Sequence, residues 1–319
     1  MSLDHDDPRL LPISLRPDLL ARGHTDRTLT AAVRRGTLAR PRRGAYVDGP
    51  AWAGLDPVGR FAVRSRAALS QSRAPASLSH TSALTMHDAP VWGLDLGDAH
   101  LTRHDGKTGR REAGVCQHRG AIDPADVVSV HGVDVTAPAR AVLEVGTIAR
   151  AEQTLVVANH FLHRRQVTLE ELVDRYGAAT ERWPGSQATR VALRLADRRV
   201  ASVGESRLSY FLWWHRYPTP IPQFRVYDGD VLVAELDFAI PELGIWLEFD
   251  GREKYQRYLR PGEDVTDFVV REKGREDLVA ELTGWRCFRV TWPHLAEPVK
   301  LDLRLQAFID RVLRSRRAG

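Results

Sequence analysis

The sequence predicts an α/β protein, α+β overall, with three domains at residues 1–60, 61–198 and 199–319. Hydrophobic residues make up 43% of the 319 residues and charged residues 27%, which is the balance of a soluble globular protein. Apolar residues recur at helical spacing in some stretches and alternate along others, so helices and strands are both expected. No run of about 18 apolar residues is present, which argues against a membrane span.

The first ten residues, MSLDHDDPRL, are acidic and lack an apolar core, so they do not form a secretory signal. Cys116 and Cys287 are the only cysteines, and without a CxxC spacing they argue against a zinc site and against a disulfide scaffold. A reducing, cytoplasmic location is therefore expected.

Positive charge is concentrated near the start of the chain. The segment from Arg16 to Arg43 holds eight arginines and two acids, Asp18 and Asp26, so its own net charge is +6. The net charge of the whole chain is +5, so the rest of the sequence is close to neutral. A basic stretch of this kind attracts polyanions, although a solvated arginine-rich surface would have the same composition.

The same segment predicts a winged helix, the expected fold of residues 1–60. A short helix through Leu19 stops at Gly23, Thr25 caps a second helix, and Gly36 ends it. A hairpin follows, with its tip at Pro41 to Gly44. In this arrangement the second helix can enter a DNA major groove while basic side chains hold phosphates, although such units also serve as protein contacts. The candidate DNA-binding residues lie at the end of the second helix and on the wing: Arg34, Arg35, Arg40, Arg42 and Arg43.

Residues 61–198 predict a mixed domain, with strands in DAHLTR and AGVCQHR followed by helices in TAPARAVLEVGTIA, RAEQTLVVANHFLHRR and TLEELVDRYGAA. We expect no chemistry in this part beyond its structure. His160 and His163 share a helix face, and His100 and His104 lie close in sequence. Both are interpreted as ordinary pairs, because no third ligand candidate is evident beside them.

A hairpin in the third domain carries four carboxylates. Its sequence is LVAELDFAIPELGIWLEFDG, and the turn PELG would place Ile240 opposite Ile245. Asp237 then stands opposite Glu248, and Glu235 opposite Asp250. Because side chains alternate along a strand, the four acids are expected on one face. The other face is expected to hold Leu236, Phe238, Leu247 and Phe249.

Directly opposed carboxylates about 5 Å apart repel each other by roughly 3–4 kcal/mol at an effective dielectric near 20. Mg²⁺ bound between them would offset the repulsion, and so would proton sharing or a nearby lysine. The alternative is a solvated acidic face whose charges splay apart.

Glu205 lies in a helix upstream, SVGESRLSYFLWWHRY, where it fits a capping box with Ser202. It could instead point toward the sheet and complete a metal site. A helix from about Asp264 to Gly284 and a strand, WRCFRVTW, follow the hairpin. The order helix, strand, strand, helix, strand predicts a layered α/β domain.

These residues resemble the PD-(D/E)XK nuclease superfamily, especially the branch similar to very-short-patch-repair endonucleases, from about Ser202 to Leu295. The segments that carry the resemblance are LEFDGREKY and REKGREDLVAELTGWRCFRVTW. The resemblance implies a restriction-endonuclease-like α/β/α domain with Mg²⁺ or Mn²⁺ as cofactor. It implies that Glu205, Asp237 and Glu248 are the metal-binding catalytic acids.

One position departs from that family, because Asp250 stands where the E-x-K motif has its lysine. Lys254 or Lys273 would then act as a displaced catalytic lysine, and Asp250 as a further metal ligand. With the chain extended, Lys254 would stand about 20 Å from Glu248, so it helps only if the chain turns after Gly251. Two-metal chemistry and an inactive fold kept for DNA binding are the alternatives.

The front of the chain resembles the AbiEi-type antitoxins of abortive-infection systems. ARGHTDRTLTAAVRRGTLARPRRGAYV is similar to their winged helix, and VTAPARAVLEV to their second segment. The resemblance implies a role in phage defence, with a toxin partner or a homodimer. Since a fold does not determine a function, two hypotheses remain: a metal-dependent DNA endonuclease, and a non-catalytic DNA-binding transcriptional regulator or antitoxin. RNA in place of DNA is also open.

Overall fold

The structure, a computed structural model, describes residues 4, 6–107, 109–180, 183, 187–251 and 265–318. The chain divides into two compact units, Met1–Phe161 with Gln166–Leu193, and Leu162–Arg165 with Arg194–Gly319. The first unit covers most of the two domains expected before residue 199, and the main part of the second unit begins at Arg194. The α+β class is confirmed. None of the helices in the described ranges is long and apolar enough to span a membrane.

The first unit opens with the elements of a winged helix. They are β1 (Ser14–Leu15), α1 (Arg16–Ala21), α2 (Asp26–Arg34), β2 (Leu38–Arg42) and β3 (Ala45–Asp48), with the strand order β1-β3-β2. Thr25 caps α2, because its hydroxyl accepts from the Thr28 N–H at 3.2 Å while the Thr28 hydroxyl accepts from the Thr25 N–H at 2.8 Å. Gly36, at a φ of 76°, ends the helix as expected.

The rest of this unit consists of a six-stranded sheet and helices. The strand order of the sheet is β6-β7-β5-β4-β9-β8. Its strands are β4 (Ala76–Leu78), β5 (Ala99–Arg103), β6 (Arg111–Glu112), β7 (Val115–Arg119), β8 (Val127–Val130) and β9 (Val133–Thr136). The helices are α3 (Gly49–Gly54), α4 (Pro57–Ser70), α5 (His80–Met86), α6 (Pro138–Val145), α7 (Ala151–His163), α8 (Leu169–Thr180) and α9 (Gln187–Leu195). Every residue of α5 and all but the first of α6 are buried, which places these two helices in the core.

The second unit is built on a four-stranded sheet. Its elements are α10 (Val203–Trp214), β10 (Ile221–Asp228), β11 (Val231–Ile240), β12 (Ile245–Asp250), α11 (Val265–Thr283), β13 (Arg286–Thr291), α12 (Trp292–Ala296) and α13 (Pro298–Ala318). The strand order is β10-β11-β12-β13, and only the β12–β13 pairing is parallel among these described strands. The expected order of elements is confirmed, with β10 as an additional edge strand.

Helices cover both faces of this sheet. Leu208 and Phe211 of α10 and Leu305 of α13 pack in one apolar cluster with Phe238, while Val279 of α11 packs with Trp246 in another. The unit therefore has three layers, with the sheet in the middle.

The turn between β11 and β12 has the length that the sequence predicts. Pro241–Leu243 form one turn of 3-10 helix, and Gly244 closes it at a φ of 64°, a conformation that glycine adopts without strain. Ile240 pairs with Ile245, and Phe238 with Leu247. The predicted register of the hairpin is confirmed at these pairs next to the turn, and continued along the strands it places Asp237 across from Glu248.

The alternation of side chains along β11 is interrupted at Asp237. Phe238 packs with Leu247 and Phe249 as expected, but Leu236 packs with Trp246 in the other cluster. Gln223 stands opposite Asp237, between the pairs Pro222–Phe238 and Phe224–Leu236, and its φ of 50° makes the β10–β11 ladder irregular there. The predictions that Leu236 shares a face with Phe238, and that all four acids share a face, are wrong for this reason.

Close packing of α10 on the sheet gives a first testable prediction. A Cβ at Gly204 would overlap the ring of Phe249, whereas a Cβ at Gly274 in α11 would meet no atom within 4 Å. We expect Gly204→Ala to lower the free energy of unfolding by about 1–3 kcal/mol through overpacking. Gly274→Ala, the matched control, should raise the free energy by up to about 1 kcal/mol, because alanine favours helix. Urea denaturation of the two variants measures both, and equal stability would contradict the packing.

Candidate functional site

Asp237 and Glu248 are buried carboxylates on neighbouring strands, with exposed fractions of 8% and 5%. The Phe249 N–H donates to Asp237 Oδ2 at 2.7 Å, so the Asp237 side chain reaches across to the strand that carries Glu248. The backbone N–H satisfies one lone pair of this buried carboxylate.

Arg275 of α11 is the cation beside this pair. Its Nη2 lies 3.6 Å from Glu248 Oε1 and 3.0 Å from Glu272 Oε2. Burial acts to lower the pKa of Arg275, but the Glu248 and Glu272 carboxylates outweigh it, and the pKa stands above its ordinary value. A guanidinium therefore offsets part of the repulsion between Asp237 and Glu248.

Lys273, the candidate catalytic lysine on the same helix, is exposed. The face of α11 that meets the sheet carries Glu272, Arg275, Glu276 and Val279, whose spacing is that of one helix face, and Lys273 lies outside it. The expectation that Lys273 reaches the acids is therefore corrected. The helical spacing of residues 272, 275, 276 and 279 in the sequence would have indicated Arg275 as the cation on this face. Lys254, the other candidate, lies outside the described residues.

Glu205 caps its own helix. Its Oε1 accepts from the Ser202 hydroxyl at 2.7 Å and its Oε2 from the Ala201 N–H at 3.1 Å. The Gln223 amide, opposite Asp237 in the ladder, lies 3.4 Å from Oε2. Of the two roles open to Glu205, the structure shows the capping role.

Asp250 is placed in an ion pair. Arg289 of β13 donates from Nη1 to Asp250 Oδ2 at 3.2 Å and from Nη2 to Glu276 at 2.8 Å. Glu235, expected opposite Asp250, instead accepts from Arg225 Nε at 2.9 Å at the exposed edge of the sheet. Asp250 is thus separated from Asp237 by its own partner, and Glu235 takes no part in the cluster.

The ion pairs near Glu248 form two sets among the described residues. Arg275 contacts Glu248 and Glu272, and Arg271 lies 3.7 Å from Glu272. Arg289 joins Asp250 to Glu276. The described contact of Asp237 is the hydrogen bond from the Phe249 N–H.

The donor set fits Mg²⁺ or Mn²⁺ at Asp237 and Glu248. These ions take one or two carboxylates and complete their shell with water and phosphate oxygens. A carboxylate with one hydrogen bond keeps lone pairs for a metal, so the bond from Phe249 to Asp237 does not prevent binding. Glu205 does not join these two as a close third ligand, because the one triad of ligand atoms within 4.8 Å in the described ranges is His80, His100 and His118. That histidine group was missed in the sequence.

Most of the candidate DNA-binding arginines are exposed. Arg34 and Arg35 lie at the C-terminal end of α2, Arg40 lies in β2, and Arg43 lies at the tip of the hairpin; all four are solvent-exposed. Arg16 of α1 donates to Asp26 of α2 at 2.8 and 2.6 Å, so one of the two acids in this segment is already neutralised. Because the pair takes up one arginine and one acid, the segment from Arg16 to Arg43 keeps its net charge of +6.

Arg42 is the exception. A bulge in β2 puts one extra residue between the pairs Ala39–Val47 and Arg42–Ala45, which reverses the alternation and turns Arg42 away from the side of Arg40. Arg42 lines a cleft with Arg73 and Arg103, and burial lowers its pKa. The expectation that Arg42 holds phosphate on the wing beside Arg40 and Arg43 is corrected.

No protein-family model matches the chain, and no curated protein matches it.

The contact between Arg275 and Glu248 gives a second testable prediction. Arg275→Met removes the guanidinium beside the buried Glu248, and we expect it to lower the free energy of unfolding by about 1–3 kcal/mol. Glu248→Gln in the same chain should recover part of this loss, with a coupling energy of about 0.5–3 kcal/mol. Arg225→Met, which breaks an exposed pair, is the control and should leave stability nearly unchanged. Additive effects in the double-mutant cycle would show that the two groups do not interact.

Proposed function

We propose that this protein is a metal-dependent DNA endonuclease that hydrolyses phosphodiester bonds. The observation that carries the proposal is the pair of buried carboxylates, Asp237 and Glu248, on neighbouring strands beside Arg275. Two carboxylates that share a site with a guanidinium are suited to a substrate that brings phosphate oxygens and a divalent cation.

Mg²⁺ or Mn²⁺ held by Asp237 and Glu248 would acidify a bound water and neutralise charge on the phosphate. The remaining roles belong to side-chain and backbone groups of the protein. Arg275 would donate to a non-bridging phosphate oxygen, where its planar fork and permanent charge stabilise the developing negative charge. The Phe249 N–H holds the Asp237 carboxylate in place.

The exposed arginines of the winged helix support DNA as the polymer. Arg34, Arg35, Arg40 and Arg43 offer phosphate contacts that do not depend on base sequence. Such contacts would hold the duplex, while the acids of the second unit would act on a phosphodiester.

Cleavage of supercoiled plasmid in Mg²⁺ or Mn²⁺ tests the proposal. We expect Asp237→Asn and Glu248→Gln each to reduce the cleavage rate on the order of 100-fold or more, because each removes a charged oxygen ligand. Glu235→Gln is the matched control: it neutralises an acid of the same hairpin that is paired with Arg225 outside the cluster, and should cleave like the wild type. Wild-type activity in Asp237→Asn would refute the assignment.

A second function is favoured by a different observation. The acids have partners within the protein, namely the Phe249 N–H, Arg275 and Arg289, and Glu205 caps a helix. We infer as the alternative a non-catalytic DNA-binding regulator or antitoxin of an abortive-infection system, in which these groups serve stability. Calorimetric titration with Mn²⁺ separates the two functions. The enzyme should take up the ion and lose it in Asp237→Asn, whereas the regulator should take up none at these acids and should not cleave.

Both functions require the basic surface of the winged helix. We expect Arg40→Ala with Arg43→Ala to weaken DNA binding and to reduce the slope of log K against log salt by about 2, since each arginine contributes roughly 0.9. Arg190→Ala, which removes an exposed arginine of α9, should leave the slope unchanged. Fluorescence anisotropy with a labelled duplex over a salt series measures this. An unchanged slope in the double variant would exclude the wing from DNA binding.

A further inference from the structure

Three histidines from separate elements of the first unit meet in its interior. His80 is the first residue of α5, His100 lies on β5 and His118 on β7. One possible ligand atom of each lies within 4.8 Å of those of the other two. The grouping is produced by tertiary structure, because β5 and β7 pair in parallel with Thr102 opposite His118. His100 and His118 therefore lie on the same face of the sheet, on adjacent strands and offset by two residues along them.

His100 and His118 are hydrogen-bonded to each other, and a shared cation would take the place of the proton in that bond. His100 Nδ1 lies 2.9 Å from His118 Nε2. Two imidazole nitrogens on one tetrahedral Zn²⁺, each about 2.0–2.1 Å from the metal, stand roughly 3.3 Å apart, so a small widening admits the ion. His80 stacks on His118 with ring centroids 3.7 Å apart, and its ring must turn out of this stack to aim a nitrogen at the same point.

A histidine binds a metal as the neutral imidazole, and burial favours that form of all three rings. Burial lowers the pKa of His80 and His100, and burial together with the neighbouring His100 lowers the pKa of His118 to about 4. Neutral imidazole is a preferred donor for Zn²⁺ and related transition metals, whereas Mg²⁺ prefers oxygen.

The groups around His80 hold it by hydrogen bonds. Its Nδ1 lies 3.0 Å from the Ser79 hydroxyl and 3.9 Å from Glu144 Oε2, and its backbone N–H donates to the same Glu144 oxygen at 3.2 Å. Glu144 is itself fixed by the Arg140 Nε at 3.0 Å and the Thr136 hydroxyl at 2.8 Å. A carboxylate next to a metal-binding histidine orients the ring and raises its affinity for the metal.

His80 and His118 also line a cleft with Arg119, Arg140, Glu144 and Trp183. Three histidines leave one position of a tetrahedral ion open, and the cleft gives water or a small anion access to that position. We propose that His80, His100 and His118 form a site for a divalent transition metal of the Zn²⁺ class, separate from the carboxylates of the second unit.

Metal analysis and titration of the full-length protein test the proposal. We expect one Zn²⁺ per chain at this site, and Co²⁺ in its place should give the visible absorption of a tetrahedral, nitrogen-ligated ion. His100→Ala and His118→Gln should each weaken Zn²⁺ binding by about 100-fold or more. His104→Ala, which removes a neighbouring histidine outside the group, should bind like the wild type. Equal binding by His118→Gln and His104→Ala would overturn the site.

Two further measurements keep the test decisive. Asp237→Asn should still bind Zn²⁺, and His118→Gln should still bind any Mn²⁺. The failure of the histidine site can therefore be distinguished from the failure of the proposed nuclease site. Circular dichroism shows whether each variant is folded. If the histidine variants do not fold, two measurements on the wild-type protein decide whether the site exists. Tetrahedral Co²⁺ absorption together with a Zn²⁺-dependent rise in its melting temperature would support the site, and the lack of either would refute it.

Discussion

A four-residue turn controls the placement of the charged groups in the second unit. Pro241 and the left-handed Gly244 allow one loop length between β11 and β12, and that length fixes the pairing of the two strands. A slip of one residue would exchange the faces of every side chain on one strand. It would place Glu248 against the apolar layer of α10 and α13 and Leu247 beside Arg275. The apolar layers and the carboxylate pair therefore depend on the same turn.

The buried carboxylates illustrate how a protein holds like charges together. Asp237 receives a backbone N–H, Glu248 lies beside Arg275, and Asp250 pairs with Arg289. These contacts make the buried carboxylates compatible with a folded chain.

The first unit concentrates its buried polar groups around Glu144. This carboxylate ties α5, β9 and α6 together through His80, Thr136 and Arg140. Burial raises the pKa of Glu144, and Arg140 and the hydrogen bonds oppose that rise. Arg140 in turn donates to Asp126 at 3.1 Å and lies over the ring of Trp183. Such a network holds His80 in position, because each partner fixes the position of the next.

The sequence by itself determined the features that depend on near neighbours along the chain: the cap at Thr25, the helix end at Gly36, the PELG turn and the register of the hairpin next to that turn. Each rests on a few adjacent residues whose conformational preferences are strong. Tertiary structure decided which of two adjacent cations meets Glu248, since the orientation of α11 selects Arg275 over Lys273. It also decided that the bulge turns Arg42 inward and that Glu205 caps a helix. His80, His100 and His118 come together only through strand pairing and helix packing, so the absence of cysteine motifs, which argued against zinc, had no bearing on them.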